Sequence, residues 1–218
     1  MTSEPDITDE EMDAWLAEWE ESDRAAAAVL AQAWPEVRDW EEPPSGVEEV
    51  VAAIREGVAS HDSTYLYFAP DVAAADADDA TGLWLDAASS SMSPLEDPTE
   101  ERGQTIEEAA DIGTLQHADW LALVVGLLRR GVGAGFSGAL AFKDECSMDE
   151  IDGEPDPQDG VEAALDAAAE TLGPLWEALG ALDADRRLTP IGHWGLARAL
   201  YLAWGTDTAT IELDPGES

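Results

Sequence analysis

Chemistry in this chain would have to come from three histidines, one cysteine, a glycine-rich stretch and an abundance of carboxylates. Gly133, Gly135 and Gly138 spell G-x-G-x-x-G after an apolar run, the spacing with which backbone amides cradle a dinucleotide pyrophosphate. Arg129 and Arg130 interrupt run and glycines, and no strand-helix-strand alternation surrounds them, so the stretch reads as a turn between helices. Gly135-Phe136-Ser137-Gly138-Ala139 approaches a nucleophile elbow, but Ala139 stands where that motif needs its last glycine. His61, His117 and His193 are far apart, and none belongs to H-E-x-x-H. Asp76, Asp78 and Asp79 begin like a calcium loop, yet Thr81 replaces the glycine at position six and Ala87 the bidentate Glu at position twelve. Cys146 lies between Asp144, Glu145 and Asp149, whose charges raise a thiol pKa and disfavour a nucleophilic role. A single cysteine gives neither an intramolecular disulfide framework nor a multi-cysteine zinc site. These residues assign no catalytic, cofactor-binding or metal-binding set.

Where acidity stops is more informative. Residues 120–143 hold no Asp or Glu but include Arg129, Arg130 and Lys143; residues 186–205 hold none but include Arg186, Arg187 and Arg198. Cations at helix ends beside a core explain such stretches. If the two stretches meet, Arg129, Arg130, Arg186 and Arg187 would form a small patch for an anion or a partner.

The rest of the chain carries the opposite charge: 49 Asp and Glu against ten Lys and Arg, a formal net charge of −39. Such a surface repels nucleic-acid backbones and anionic lipid, so direct nucleic-acid or membrane binding is not expected. The acidity fits salt adaptation, an acidic face for a cationic protein partner, or mimicry of nucleic acid by carboxylates spaced like phosphates. Hydrophobic residues make up 45% of the chain and nine are Trp, enough to build a core and unlike a disordered acidic tail. The opening Met1-Thr2-Ser3-Glu4 has neither a basic nor an apolar leader region, and the cytoplasm is the expected compartment.

The elements that must position these residues are mostly helices. Thr8 with Glu11 forms a capping-box pattern, Ile7 with Met12 a hydrophobic staple, and Met12, Trp15, Leu16, Trp19, Ala26, Leu30 and Ala33 recur at helical spacing until Pro35. Ser45 and Glu48 repeat the pattern ahead of Val47, Val50, Val51, Ile54 and Val58, predicting a second helix paired with the first. Aromatic density predicts a strand over 63–69 and a partner over 82–86. Residues 87–104 read as a linker. A third capping box at Thr105 and Glu108 opens a helix over Ile106, Ala109 and Ala110; the run 120–128 is apolar all round and so central, ending at Gly131. Residues 144–160 form an acidic loop. A long core helix from Val161 to Leu179 breaks or kinks at Gly173-Pro174, Thr189 with Pro190 starts the last helix, and 206–213 alternate as a terminal strand.

Leu179-Gly180-Ala181-Leu182, Arg187-Leu188-Thr189 and Gly192 lie within residues 175–204 in the order helix, L-G-x-L turn, short strand and new helix. This segment resembles the end of a winged-helix module, with "LTPLGRWGL"-like stretches as in many uncharacterised actinobacterial proteins. The resemblance implies a fold that often binds DNA through a basic helix. The corresponding helix here carries Glu162, Asp166 and Glu170, which departs from such a basic helix and is compatible with a winged-helix-like fold used for protein contact.

The expectation is a mainly α chain of two helical lobes with a few short strands: an N-terminal lobe over 1–86, the linker over 87–104, a winged-helix-like lobe over 105–213 and a tail over 214–218. The expected function is a non-catalytic interaction or regulatory protein with a strongly acidic surface. The alternatives are a nucleic-acid mimic that occupies a DNA-binding protein, and an enzyme with a site between the lobes.

Overall fold

The computed structural model describes residues 8–39, 42–76, 78–92, 105–145 and 160–204, and within these the chain is mainly helical. Ile7 and its staple, Cys146, most of the acidic loop and the strand expected at 206–213 lie outside the described residues. Helix α1 (Asp9–Ala33) ends where Pro35 begins a 3-10 turn (Pro35–Arg38) that buries Val37. Among the described residues of the predicted α1 stripe, the later ones are covered. Ala26, Ala27, Leu30 and Ala31 are buried, whereas Leu16 and Trp19 remain 46% and 59% exposed.

Helix α2 (Val47–Ala59) buries Val47, Val51, Ile54 and Gly57. Its N-cap is Gly46 at φ 108, a left-handed conformation that glycine adopts without a Cβ clash, and no Ser45 cap forms. α2 does not make the expected hairpin with α1. It packs on α3 (Ser63–Leu66) and α5 (Ala80–Ser90), while α1 lies against the 3-10 turn and the last described helix, α11 (Pro190–Ala203).

The two strands predicted at 63–69 and 82–86 are helices. Residues 63–69 fall in α3 (Ser63–Leu66) and at the start of α4 (Ala69–Ala74), and residues 82–86 lie inside α5 (Ala80–Ser90). Local capping outweighs aromatic β-propensity here: the Asp62 side chain accepts from the Thr64 N–H at 3.1 Å, and Asp79 accepts from Gly82 N–H at 2.8 Å. α5 also runs through the expected lobe boundary at 86/87. It buries Leu83, Trp84, Leu85, Ala87 and Ala88, and Ser91 and Met92 beyond it are buried too, so the first part of the expected linker is core.

Helix α6 (Ile106–Gly113) has the predicted capping box: Glu108 N–H donates to Thr105 Oγ1 at 3.1 Å, and Thr105 N–H to Glu108 Oε2 at 2.6 Å. Ile106 is 73% exposed, and Ile112 is the residue α6 buries. The central helix comprises α7 (His117–Leu121), a π-helical turn (Ala122–Gly126) and α8 (Leu127–Arg130); residues 120–128 are buried throughout, as an all-round apolar sequence requires. Gly131 closes it at φ 84.

α9 (Gly138–Glu145) packs closely on α10 (Val161–Ala178) because Gly138 has no side chain. A Cβ there would lie 2.4 Å from the backbone of Asp166. α10 carries Pro174 within it and continues to Ala178. Gly180 at φ 65 then turns the chain into a short loop before α11 (Pro190–Ala203), whose N-cap Thr189 accepts from Gly192 N–H at 3.1 Å. Among the described residues the extended pairing amounts to two isolated antiparallel bridges, Gly135 with Arg187 and Leu182 with Leu188. No described helix is long and apolar enough to cross a membrane.

The core is continuous across the expected linker. Trp84 Nε1–H donates to Leu179 O at 2.8 Å, Trp176 Nε1–H donates to Ser91 Oγ at 3.2 Å, and the rings of Trp84 and Trp194 lie 5.8 Å apart. These bonds let buried indoles enter the core without an unsatisfied N–H. Gly195 gives the Trp84 ring its room, since a Cβ there would come within 2.1 Å of Cζ3. Gly195→Ala should therefore destabilise the chain by about 1–3 kcal/mol, seen as a lower urea midpoint. An unchanged midpoint would mean that this contact is looser than described.

Candidate functional site

The two acid-free stretches meet. Gly131 and Gly133, at φ 84 and 88, let the chain leave α8 and turn back in a left-handed conformation that other residues rarely adopt. Gly133 N–H then donates to Leu188 O at 2.7 Å, Leu188 N–H to Ala134 O at 2.8 Å and Phe136 N–H to Arg186 O at 2.9 Å. This pairing places Arg186 and Arg187 beside the loop that follows Arg129 and Arg130.

Each of the four guanidinium groups bonds to the protein itself, although Arg129, Arg130 and Arg187 are exposed residues. Arg129 donates to Ala33 O at 3.3 Å, meeting a carbonyl at the end of α1 where intrahelical donors run out. Arg130 pairs with Asp144 and reaches Gly135 O at 3.5 Å; burial draws its pKa down. Arg186 grips Glu170 with two bonds of 2.7 and 3.1 Å and stands 3.5 Å from Glu177. The bidentate pair holds the Glu170 carboxyl below its usual range, chiefly through the side-chain hydrogen bond, and the same bond raises Arg186. Arg187 donates to Gly133 O at 3.1 Å. These bonds tie α8, α10 and the 131–136 loop together.

Arg198 goes furthest in this direction and has no signature in the sequence beyond its place in an acid-free stretch. It is 5% exposed, on α11, with its guanidinium 5.3 Å from the Trp194 ring centroid. It donates to the carbonyls of Trp194, Asp39 and, at 3.3 Å, Glu36. A buried cation is tolerated because main-chain oxygens at the end of the 3-10 turn surround it. Asp119 is a buried anion at 7% exposure, and desolvation pushes its pKa up against the lowering bond from Gln116 N–H, 2.7 Å away.

The nucleophile and base candidates are occupied elsewhere. Ser137 Oγ accepts from Leu140 N–H at 3.3 Å and serves the start of α9. His61 ends α2 at φ 58, His193 meets the Trp34 ring edge-on at 5.6 Å, and His117 meets Trp204 at 5.1 Å. His117 lines a shallow cleft of about 160 Å³ with Ser22, and its Nε2 is 3.7 Å from Asp23, too long for the hydrogen bond that orients a general base. In the stretch that begins like a calcium loop, Asp76 accepts from Asp78 N–H at 3.2 Å and Asp79 caps α5. Among the described residues no group of three or more His, Cys, Asp and Glu is placed to hold a metal ion.

Comparison with protein-family models, curated proteins and solved structures found no match.

Two outcomes follow from these charges. Arg198→Ala should cost about 3 kcal/mol in chemical unfolding, because it leaves several carbonyls without donors and a cavity beside Trp194; a loss below about 0.5 kcal/mol would make Arg198 dispensable. Asp86 is raised by desolvation first and then by Asp71 and Asp79. Its folded pKa lies above its unfolded one, so the folded state binds more protons between the two values and the charge opposes folding above them. Asp86→Asn should raise the melting midpoint at pH 7, with the gain vanishing as pH falls below about 3.9. A gain that grew toward acid would contradict this sign.

Proposed function

We propose that this chain is a non-catalytic interaction protein that presents an acidic surface to a cationic protein partner. The supporting observation is the direction of its cations. Arg129, Arg130, Arg186, Arg187 and Arg198 all bond to the chain's own carbonyls or carboxylates. Carboxylates such as Glu18, Glu20, Glu48, Glu107 and Glu162 stand on the outside of α1, α2, α6 and α10. The outward field is thus anionic, and it selects and steers cationic partners.

The C-terminal part suits a winged-helix-like unit used for protein contact. Support comes from the turn at Gly180, the Leu182–Leu188 bridge that follows α10, and the Thr189-capped start of α11, in the order of the sequence resemblance. Glu162, Asp166 and Glu170 are exposed on α10, which makes that helix a poor reader of DNA. A single cysteine suits a reducing compartment such as the cytoplasm.

The test is capture on the immobilised full chain from a native lysate, elution with a salt gradient and identification of what elutes. The expected result is a basic protein retained in near-stoichiometric amount and released by moderate salt. Retention of neutral or acidic proteins alone, or of none, would overturn the proposal.

A further inference from the structure

The N-terminal half of α1 presents two large apolar side chains, Leu16 and Trp19, outward within one turn of each other. Leu16 is 46% and Trp19 59% exposed, and residues 16–22 are exposed without interruption. Among the described side chains of α1, burial begins at Ala26. Leu16 and Trp19 are three residues apart, which puts them on one face of the helix. The charge around them is one-sided. From Thr8 to Asp23 the sequence holds eight acids and no Lys or Arg.

An exposed Trp beside Leu in a polar rim has the composition of a binding hot spot rather than of ordinary surface. The charge decides what can cover it. A second copy would bring the same carboxylates face to face, and an anionic membrane or nucleic acid would be repelled. A segment with apolar anchors at helical spacing flanked by Lys and Arg matches both the apolar pair and its rim.

Resting on the proposal that the chain binds a cationic partner, we infer that the Leu16–Trp19 face of α1 docks a basic amphipathic helix of that partner. The apolar pair supplies affinity that survives salt, and the flanking carboxylates supply attraction and orientation.

Fluorescence anisotropy with the full chain tests this using two labelled peptides of identical Lys/Leu composition. In one, leucines recur at i, i+3, i+4 and i+7; in the other they are scrambled so that no apolar face forms. The amphipathic peptide should bind at least about tenfold more tightly, and the difference should persist when salt is raised to about 0.5 M. The double substitution Leu16→Ser with Trp19→Ser should reduce its binding to that of the scrambled peptide. Val132→Ser with Leu140→Ser, which alters the other exposed apolar side chains near the arginine loop, should leave it unchanged, both variants first being confirmed folded by their melting curves. Equal binding of both peptides, or no effect of the α1 substitutions, would overturn the docking site while leaving a general attraction to cations intact. Failure of both peptides to bind at any salt would overturn the cationic-partner proposal as well.

Discussion

Mutual repulsion among carboxylates is the constraint on which the rest of this fold depends. A chain with a net charge of −39 gains nothing from compactness electrostatically, so folding must be driven by apolar burial, and every charge taken inside must be answered there. The indoles meet the first need. Trp84 and Trp176 are fully buried, yet each N–H has a partner, and both bonds join segments separated by more than eighty residues. The cations meet the second. In a chain with only ten of them, Arg198 is spent on main-chain oxygens inside the protein and Arg186 on two glutamates of α10.

Glycine governs how closely these elements approach. Gly195 lies under the Trp84 ring, Gly138 against the backbone of Asp166, and Gly192 against Ala181 O, each at a distance that excludes a Cβ. In the apparent dinucleotide fingerprint at 133, 135 and 138, Gly138 answers this requirement and Gly133 the turn at φ 88, while Gly135 has room for a Cβ. Its glycines serve a loop and a helix contact. Ser137, which gave the segment the look of a nucleophile elbow, binds the Leu140 amide.

Much of the helical framework was legible because its signals were local. The Thr105–Glu108 box, the Thr189-Pro190 start, Gly131 after Arg130 and the unbroken apolar run before it each act within a turn or two of their own position. Strands expected over 63–69 and 82–86 fail because capping by Asp62 and Asp79, together with burial of α5 on several sides, outweighs aromatic propensity. The linker reading of 87–92 fails for a related reason: small polar residues such as Ser91 look solvent-facing until a distant Trp176 supplies a partner. Charge alone marked the two acid-free stretches but left open whether they meet, and it said nothing of how their arginines point, since carbonyl acceptors such as Ala33 O and Asp39 O leave no trace in residue types. Periodicity likewise gave Leu16 and Trp19 the same standing as Leu30; only packing separates the exposed turns of α1 from the buried ones.

On the proposed reading, the acidic coat surrounds a conventional core and is kept for a partner rather than for life in concentrated salt. Thermal unfolding across monovalent salt tests it most directly. A core of this kind predicts a cooperative transition already present at about 20 mM salt, with a modest gain that levels off by about 0.5 M as surface repulsion is screened over a few ångströms. A chain unfolded at low salt and stabilised steadily into the molar range would contradict it and assign the carboxylates to salt adaptation.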